Sequence, residues 1–188
     1  MVYIAKDKIL DILEKDQLRK GIEKYTFLQN NLYRVNVANN EEYKNNYKIF
    51  YRIARKGSSF CEQYFSIMEN LKNIKNIDIK TIFDHVYTIK NTNEISFSSK
   101  MLHSINPNFP IWDSIVTKGH FKINVSYYKY KANKNLLCEK YLEYTSQFEE
   151  YKLSDNGKML IDLFNKRYPN INISDTKKID FILWQARD

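Results

Sequence analysis

The sequence predicts an all-α protein, a compact bundle of roughly eight to ten short helices. Three observations carry this expectation. Apolar residues recur at helical spacing along nearly the whole chain. Only four Gly and three Pro occur in 188 residues, too few for a turn-rich β protein. Residues with short polar side chains (Asp78, Asp113, Ser154, Ser174) stand just ahead of the periodic runs, where a helix needs an acceptor for its free amides.

Taken in order, Ile4–Leu18 places Ile9, Leu10, Ile12 and Leu13 on one face, and Gly21 is the expected break before a second helix over Ile22–Leu32. Tyr33–Val37 alternates briefly and reads as a short extended piece. Asn39 and Asn40, followed by Glu41 and Glu42, start a helix with Tyr43, Tyr47, Phe50, Tyr51 and Ala54 inward and Gly57 as its stop. Ser59 and Glu62 have capping-box spacing, in which each side chain satisfies an amide of the other residue. Phe60, Tyr64, Ile67, Met68 and Leu71 follow at helical intervals. Asp78 is expected to cap a helix that buries Ile79, Ile82, Phe83, Val86 and Ile89. A short helix over Ser98–Ile105 leads to a tight connection bracketed by Pro107 and Pro110, and Asp113 caps another short helix. Ser126–Lys134 reads as irregular. Leu137, Tyr141, Tyr144 and Phe148 mark an amphipathic helix. Ser154 or Asp155 caps the next, with Leu160, Ile161 and Phe164 inward and Pro169 as its stop. Ser174 or Asp175 starts the last, with Ile179, Ile182, Leu183 and Trp184.

The length fits one helical domain, 1–188; should it divide into two lobes, the cleft between them is expected near 96–118. Aromatic residues make up 15% of the chain, so the core is expected to be aromatic-heavy. No run approaches the roughly 18 apolar residues that cross a bilayer, and the first residues carry an acid at Asp7 without an apolar stretch. A cytoplasmic protein without a membrane partner is the expectation. Two cysteines, Cys61 and Cys138, make no disulfide framework and read as small buried hydrophobes. No two glycines are close enough for a dinucleotide fingerprint or a Walker loop. His85, His103 and His120 lack ligand spacing with Cys or carboxylates, so neither a metal nor a cofactor is expected.

The net charge is +8, and its distribution is uneven. Between Lys118 and Lys140 six lysines face one glutamate, which places +5 of the total in 23 residues. Such an excess suits a polyanion, most simply nucleic acid. Within it Lys118, Lys122, Lys129, Lys131 and Lys134 are candidate phosphate contacts. Tyr127 and Tyr128, interleaved with them, are candidate base-stacking residues. The competing reading of this segment is a solvated loop of snorkelling lysines.

The most informative stretch is Ser96–Lys118. Phe97-Ser98-Ser99-Lys100 lies on one helix, a proline-bounded turn follows, and Asp113-Ser114-Ile115-Val116-Thr117-Lys118 opens the next. This arrangement resembles the helix-hairpin-helix DNA glycosylase superfamily, in which a Lys in a G-x-K-x-A pattern precedes an Asp in a D-T-x-V-x-R pattern. Ser114 stands for the Thr and Lys118 for the Arg. The resemblance implies DNA as partner, Asp113 as the carboxylate that stabilises positive charge on the sugar, and Lys100 as an amine nucleophile able to form a Schiff base. Asn91–Ser99 contains no glycine, so a phosphate is not expected on that loop's backbone. The chain also resembles a family of bacterial proteins without assigned activity, through Glu94–Leu102, Pro110–Asp113 and Lys177–Arg187.

Bland roles stand beside each of these. Asp113 caps a helix whether or not it does chemistry. Lys100 serves as a structural or surface lysine unless something lowers its pKa. Trp112 is expected in the core, and Asp180 and Trp184 are expected to pin the last helix. Three readings follow: a glycosylase-like protein that contacts DNA and excises a base, a nucleic-acid-binding protein without catalysis, and a protein-interaction module.

Overall fold

The structure, a computed structural model, describes residues 2–123 and 133–186. Among them the chain is all-helical, with nine α-helices, one 3-10 turn and one π-helical turn. The helices are α1 (Lys6–Leu13), α2 (Asp16–Asn31), α3 (Glu41–Tyr51), α4 (Ser58–Leu71), α5 (Ile79–Lys90), α6 (Ile95–Ile105), α7 (Lys134–Leu153), α8 (Asp155–Arg167) and α9 (Asp175–Gln185). The 3-10 turn spans Ile53–Lys56 and the π turn Ile115–His120. No helix among the described residues is long and apolar enough to cross a membrane.

The caps expected from the sequence are largely in place. Asn40, Asp78, Ser154 and Ser174 each accept a hydrogen bond from an amide three residues on. The capping box at Ser59 does not form. Gly57, at φ 89°, takes the N-cap position of α4 and no side chain caps it. Two further expectations are corrected. Tyr33–Val37 is a run of turns rather than an extended piece. The break between the first helices falls at Glu14–Lys15, and Gly21 sits inside α2. Its role there is steric: a Cβ at position 21 would stand 3.2 Å from the Phe181 ring, so the missing side chain lets α9 approach α2.

Two aromatic clusters fill the core. Tyr43, Tyr47, Tyr51, Phe60, Tyr64, Phe65 and Phe97 interlock among α3, α4 and α6. Trp112, Phe121, Tyr141, Tyr144 and Phe148 interlock along α7. Trp112 is therefore a core residue, and both free cysteines are buried. Between the clusters runs α6, whose residues from Phe97 to Ser104 are all buried. A helix covered on every side is the centre of a fold. The last helix, α9, packs on α1, α7, α8 and the π turn, and Phe181 reaches Tyr25 of α2 and Phe50 of α3.

Candidate functional site

Lys100 occupies the middle of α6, and its neighbours leave it little water; it is 8% exposed. Among the described residues its ammonium makes no hydrogen bond and no ion pair. It lies over the Phe97 ring, 4.8 Å from the centroid. Burial is the main influence on its titration, and the charges of Arg55 and Lys177 act with it. Asp113 and Asp180 oppose them, and the result is a pKa lowered from 10.5 to about 8. Lys100 is thus a desolvated amine that gives up its proton more readily than an ordinary lysine, the property that makes a lysine nucleophilic.

Asp113 reaches the same place from the next element. One carboxylate oxygen, Oδ1, accepts the Ile115 amide at 2.9 Å. Its backbone carbonyl accepts the Thr117 amide and hydroxyl. The second carboxylate oxygen has no hydrogen bond among the described residues. Asp113 therefore caps the π turn with half of its acceptor and keeps the other half for a neighbour. π turns are uncommon, and they gather at functional sites.

What fixes Asp113 relative to Lys100 is the turn between them. Ser174 Oγ donates to the carbonyl of Pro107, Thr176 Oγ1 to that of Asn108. His103 Nδ1 donates to the Phe109 carbonyl at 2.7 Å, and Tyr141 and Tyr144 donate to the carbonyls of Pro110 and Ile111. The Trp112 amide donates to Ser99 Oγ at 2.9 Å. Six consecutive residues are each tied by a side chain from α6, α7 or α9, which is the supporting shell a preorganised site requires. Because a carbonyl only accepts, the bond to Phe109 makes Nδ1 the protonated nitrogen of His103, so Nε2 accepts from the Tyr25 hydroxyl at 3.0 Å. Burial, together with the Lys177 charge, pushes the His103 pKa down to about 3 and keeps the ring neutral.

Lys100 and Asp113 line one cleft of about 690 Å³. This lies within the roughly 300–1,000 Å³ of small-molecule sites. Gln17, Lys20, Gly21 and Lys24 of α2 form one wall; Arg52 and Arg55 stand at the end of α3; Lys177, Asp180, Phe181 and Trp184 of α9 form the other. The lining carries six basic side chains against two acidic ones. Lys177 and Asp180 are both buried and pair at 2.7 Å. The Lys177 ammonium also lies within 5.2 Å of the ring centres of Tyr25, Phe50 and Phe181. This pair does more than pin the last helix, since it forms part of the cleft wall. Among the described residues no group of three or more His, Cys, Asp or Glu converges to hold a metal.

The expected nucleic-acid contacts divide. Lys118 and Lys122 are exposed on and just after the π turn, outside the cleft lining, and Lys122 donates to the Gly119 carbonyl. Lys134 is engaged elsewhere: it pairs with Asp84 at 2.5 Å and lies over the Tyr87 ring, tying α7 to α5. Tyr127, Tyr128, Lys129 and Lys131 lie outside the described residues. The cleft cations Lys20, Lys24, Arg52, Arg55 and Lys177 were not legible as a set, because α2, the 3-10 turn and α9 meet only in the folded chain. One local signal was present. Gln17, Lys20, Gly21 and Lys24 share a helix face, on which a glycine between two lysines marks a close approach.

No protein-family model, no curated protein and no solved structure matches this chain.

Proposed function

We propose that the chain is a helical DNA glycosylase-like enzyme that uses Lys100 as an amine nucleophile and Asp113 as the carboxylate partner. The observation that carries this reading is the convergence of a buried, ion-pair-free lysine and a half-capped aspartate on one basic cleft of about 690 Å³. At pH 7.5 an amine with a pKa of about 8 is roughly one-quarter neutral, against roughly one part in a thousand for an ordinary lysine.

In the proposed reaction an extruded nucleotide enters the cleft. The neutral Lys100 nitrogen forms a bond to C1′ while the C1′–base bond breaks and its electron pair leaves with the base. The nitrogen's surplus proton passes to the departing base. Ring opening breaks C1′–O4′, O4′ takes a proton, and a protonated imine joins Lys100 to the sugar. Asp113 stabilises the positive charge that grows on the sugar as the base departs, an effect that is strong in a site shielded from water.

Borohydride trapping on duplexes carrying a panel of damaged bases tests this. The expected result is a covalent protein–DNA adduct that Lys100→Gln abolishes, together with excision that Asp113→Asn slows by about 10²-fold or more. Equal trapping by wild type and Lys100→Gln removes the nucleophile. Salt-sensitive binding without excision of any base leaves a nucleic-acid-binding protein on the same scaffold.

A further inference from the structure

We infer that the rim formed by Lys20, Lys24, Arg52 and Arg55 is a phosphate subsite that seats a phosphorylated carbonyl compound with its carbon on Lys100. The inference rests on the reading above for the identity of the reacting amine, and it goes beyond it in naming a second class of ligand, one that offers Lys100 a carbonyl carbon instead of a glycosidic one.

Three other cations of α2, α3 and the 3-10 turn are paired: Arg19 with Asp16 and Glu23, Lys44 with Glu41, Lys56 with Glu94. Among the described residues Lys20, Lys24, Arg52 and Arg55 have no carboxylate partner, although all four line the cleft. Lys20 and Lys24 stand one turn apart on α2, on the face that Gly21 opens. Arg52 adopts φ 56° and ψ 32° at the end of α3. Glycine takes that left-handed conformation at no steric cost, whereas an L-residue with a Cβ does not. An arginine retained there puts a guanidinium at the cleft, 5.6 Å over the Trp184 ring. Arg55 donates from Nε to the Arg52 carbonyl, which leaves its terminal nitrogens available. Two guanidinium forks and two ammonium groups suit a phosphate ester, which offers paired oxygens in a plane. A phosphate held there takes the place of the backbone-amide site that Asn91–Ser99, lacking glycine, does not supply.

The covalent step is an imine exchange of water. The neutral Lys100 nitrogen adds to the carbonyl carbon, the π pair moves to oxygen, and proton transfer from nitrogen to oxygen gives a carbinolamine. Loss of that oxygen as water leaves a C=N bond. The reaction needs no oxidant or further reagent.

Two aldehydes that differ only in a phosphate separate the subsite from the amine. Pyridoxal 5′-phosphate and pyridoxal are titrated against the full chain, imine formation is followed by absorbance, and the modified lysine is mapped after borohydride reduction. The expected result is labelling of Lys100, with pyridoxal 5′-phosphate binding at least tenfold more tightly and inorganic phosphate competing against it alone. In Arg52→Gln and in Lys20→Gln/Lys24→Gln, which leave in place the Arg55 charge that acts on Lys100, the preference for the phosphorylated aldehyde falls severalfold while pyridoxal labelling is unchanged. These positions are exposed, so both variants are expected to fold, which circular dichroism checks. Equal affinity for the two aldehydes, or a preference that survives both variants, overturns the subsite. No trapping on any DNA alongside an intact phosphate preference at Lys100 removes base excision but keeps the subsite.

Discussion

Removing the Lys100 charge should make the protein more stable at neutral pH, and the amount follows from the structure. Burial brings the folded-state pKa to about 8, from 10.5 for an exposed lysine. The folded protein holds fewer protons than the unfolded chain between those values, so stability rises with pH across that window and is flat below it. The displacement from 10.5 to about 8 corresponds to a burden of about 3 kcal/mol carried at pH 7. Lys100→Met keeps the length of the side chain and removes the charge. It should therefore stabilise the fold by about 3 kcal/mol at pH 7, while losing all trapping activity. Urea unfolding of both proteins between pH 6 and 10.5 measures the difference, which should shrink steadily above pH 8. A variant that is less stable at pH 7, or a gap that does not change with pH, would refute the reasoning and return Lys100 to an ordinary structural lysine.

Other outcomes follow from the same packing. Asp180→Asn leaves the Lys177 ammonium buried without its counter-ion and should cost about 3–5 kcal/mol in urea unfolding, whereas replacing both residues by apolar ones should cost far less. Gly157→Ala should destabilise by at least about 2 kcal/mol, because the new Cβ would stand 2.1 Å from the Tyr151 carbonyl oxygen and the backbone must shift. His103 stays neutral in the fold down to about pH 3, while the unfolded chain protonates it near 6.5. Stability should therefore fall as pH drops through that window, and in His103→Asn the slope should be shallower by about 1.4 kcal/mol per pH unit. Ser99→Ala frees the Trp112 amide and should cost about 1–3 kcal/mol; if it also slows excision without changing DNA affinity, the turn positions Asp113.

The residues that were legible in the sequence are those whose signal is local. Asp78, Ser154 and Ser174 cap helices because a short acceptor ahead of an apolar run does so in most contexts. Tyr141 and Tyr144 of α7 were readable as core from their spacing alone. Asp113 and Lys100 were readable as candidates because the 23 residues from Ser96 to Lys118 carry the resemblance that singles them out, and the fold brings them to one cleft. Gly21 misled because a glycine inside a helix reads as a break when the ring it accommodates, Phe181, comes from 160 residues away. Ser59 misled because Gly57, with its positive φ, takes the N-cap position and starts α4 two residues earlier. Lys134 looked like a phosphate contact, yet Asp84 and Tyr87, remote in sequence, had already engaged it. The remaining cleft cations could not be read as a set, since Lys20, Arg52 and Lys177 lie on elements that only tertiary packing brings together.

The ties between α9 and the Pro107–Ile111 turn have a consequence for the order in which the site comes into being. A ribosome that has added residue 170 has already made Lys100, Asp113 and the whole cationic rim. It has not made Ser174 and Thr176, which hold the turn, or Phe181 and Trp184, which close the far wall. In that nascent chain Lys100 lacks part of the covering that lowers its pKa. In a half-made polypeptide Lys100 is therefore closer to an ordinary lysine than it is in the finished fold.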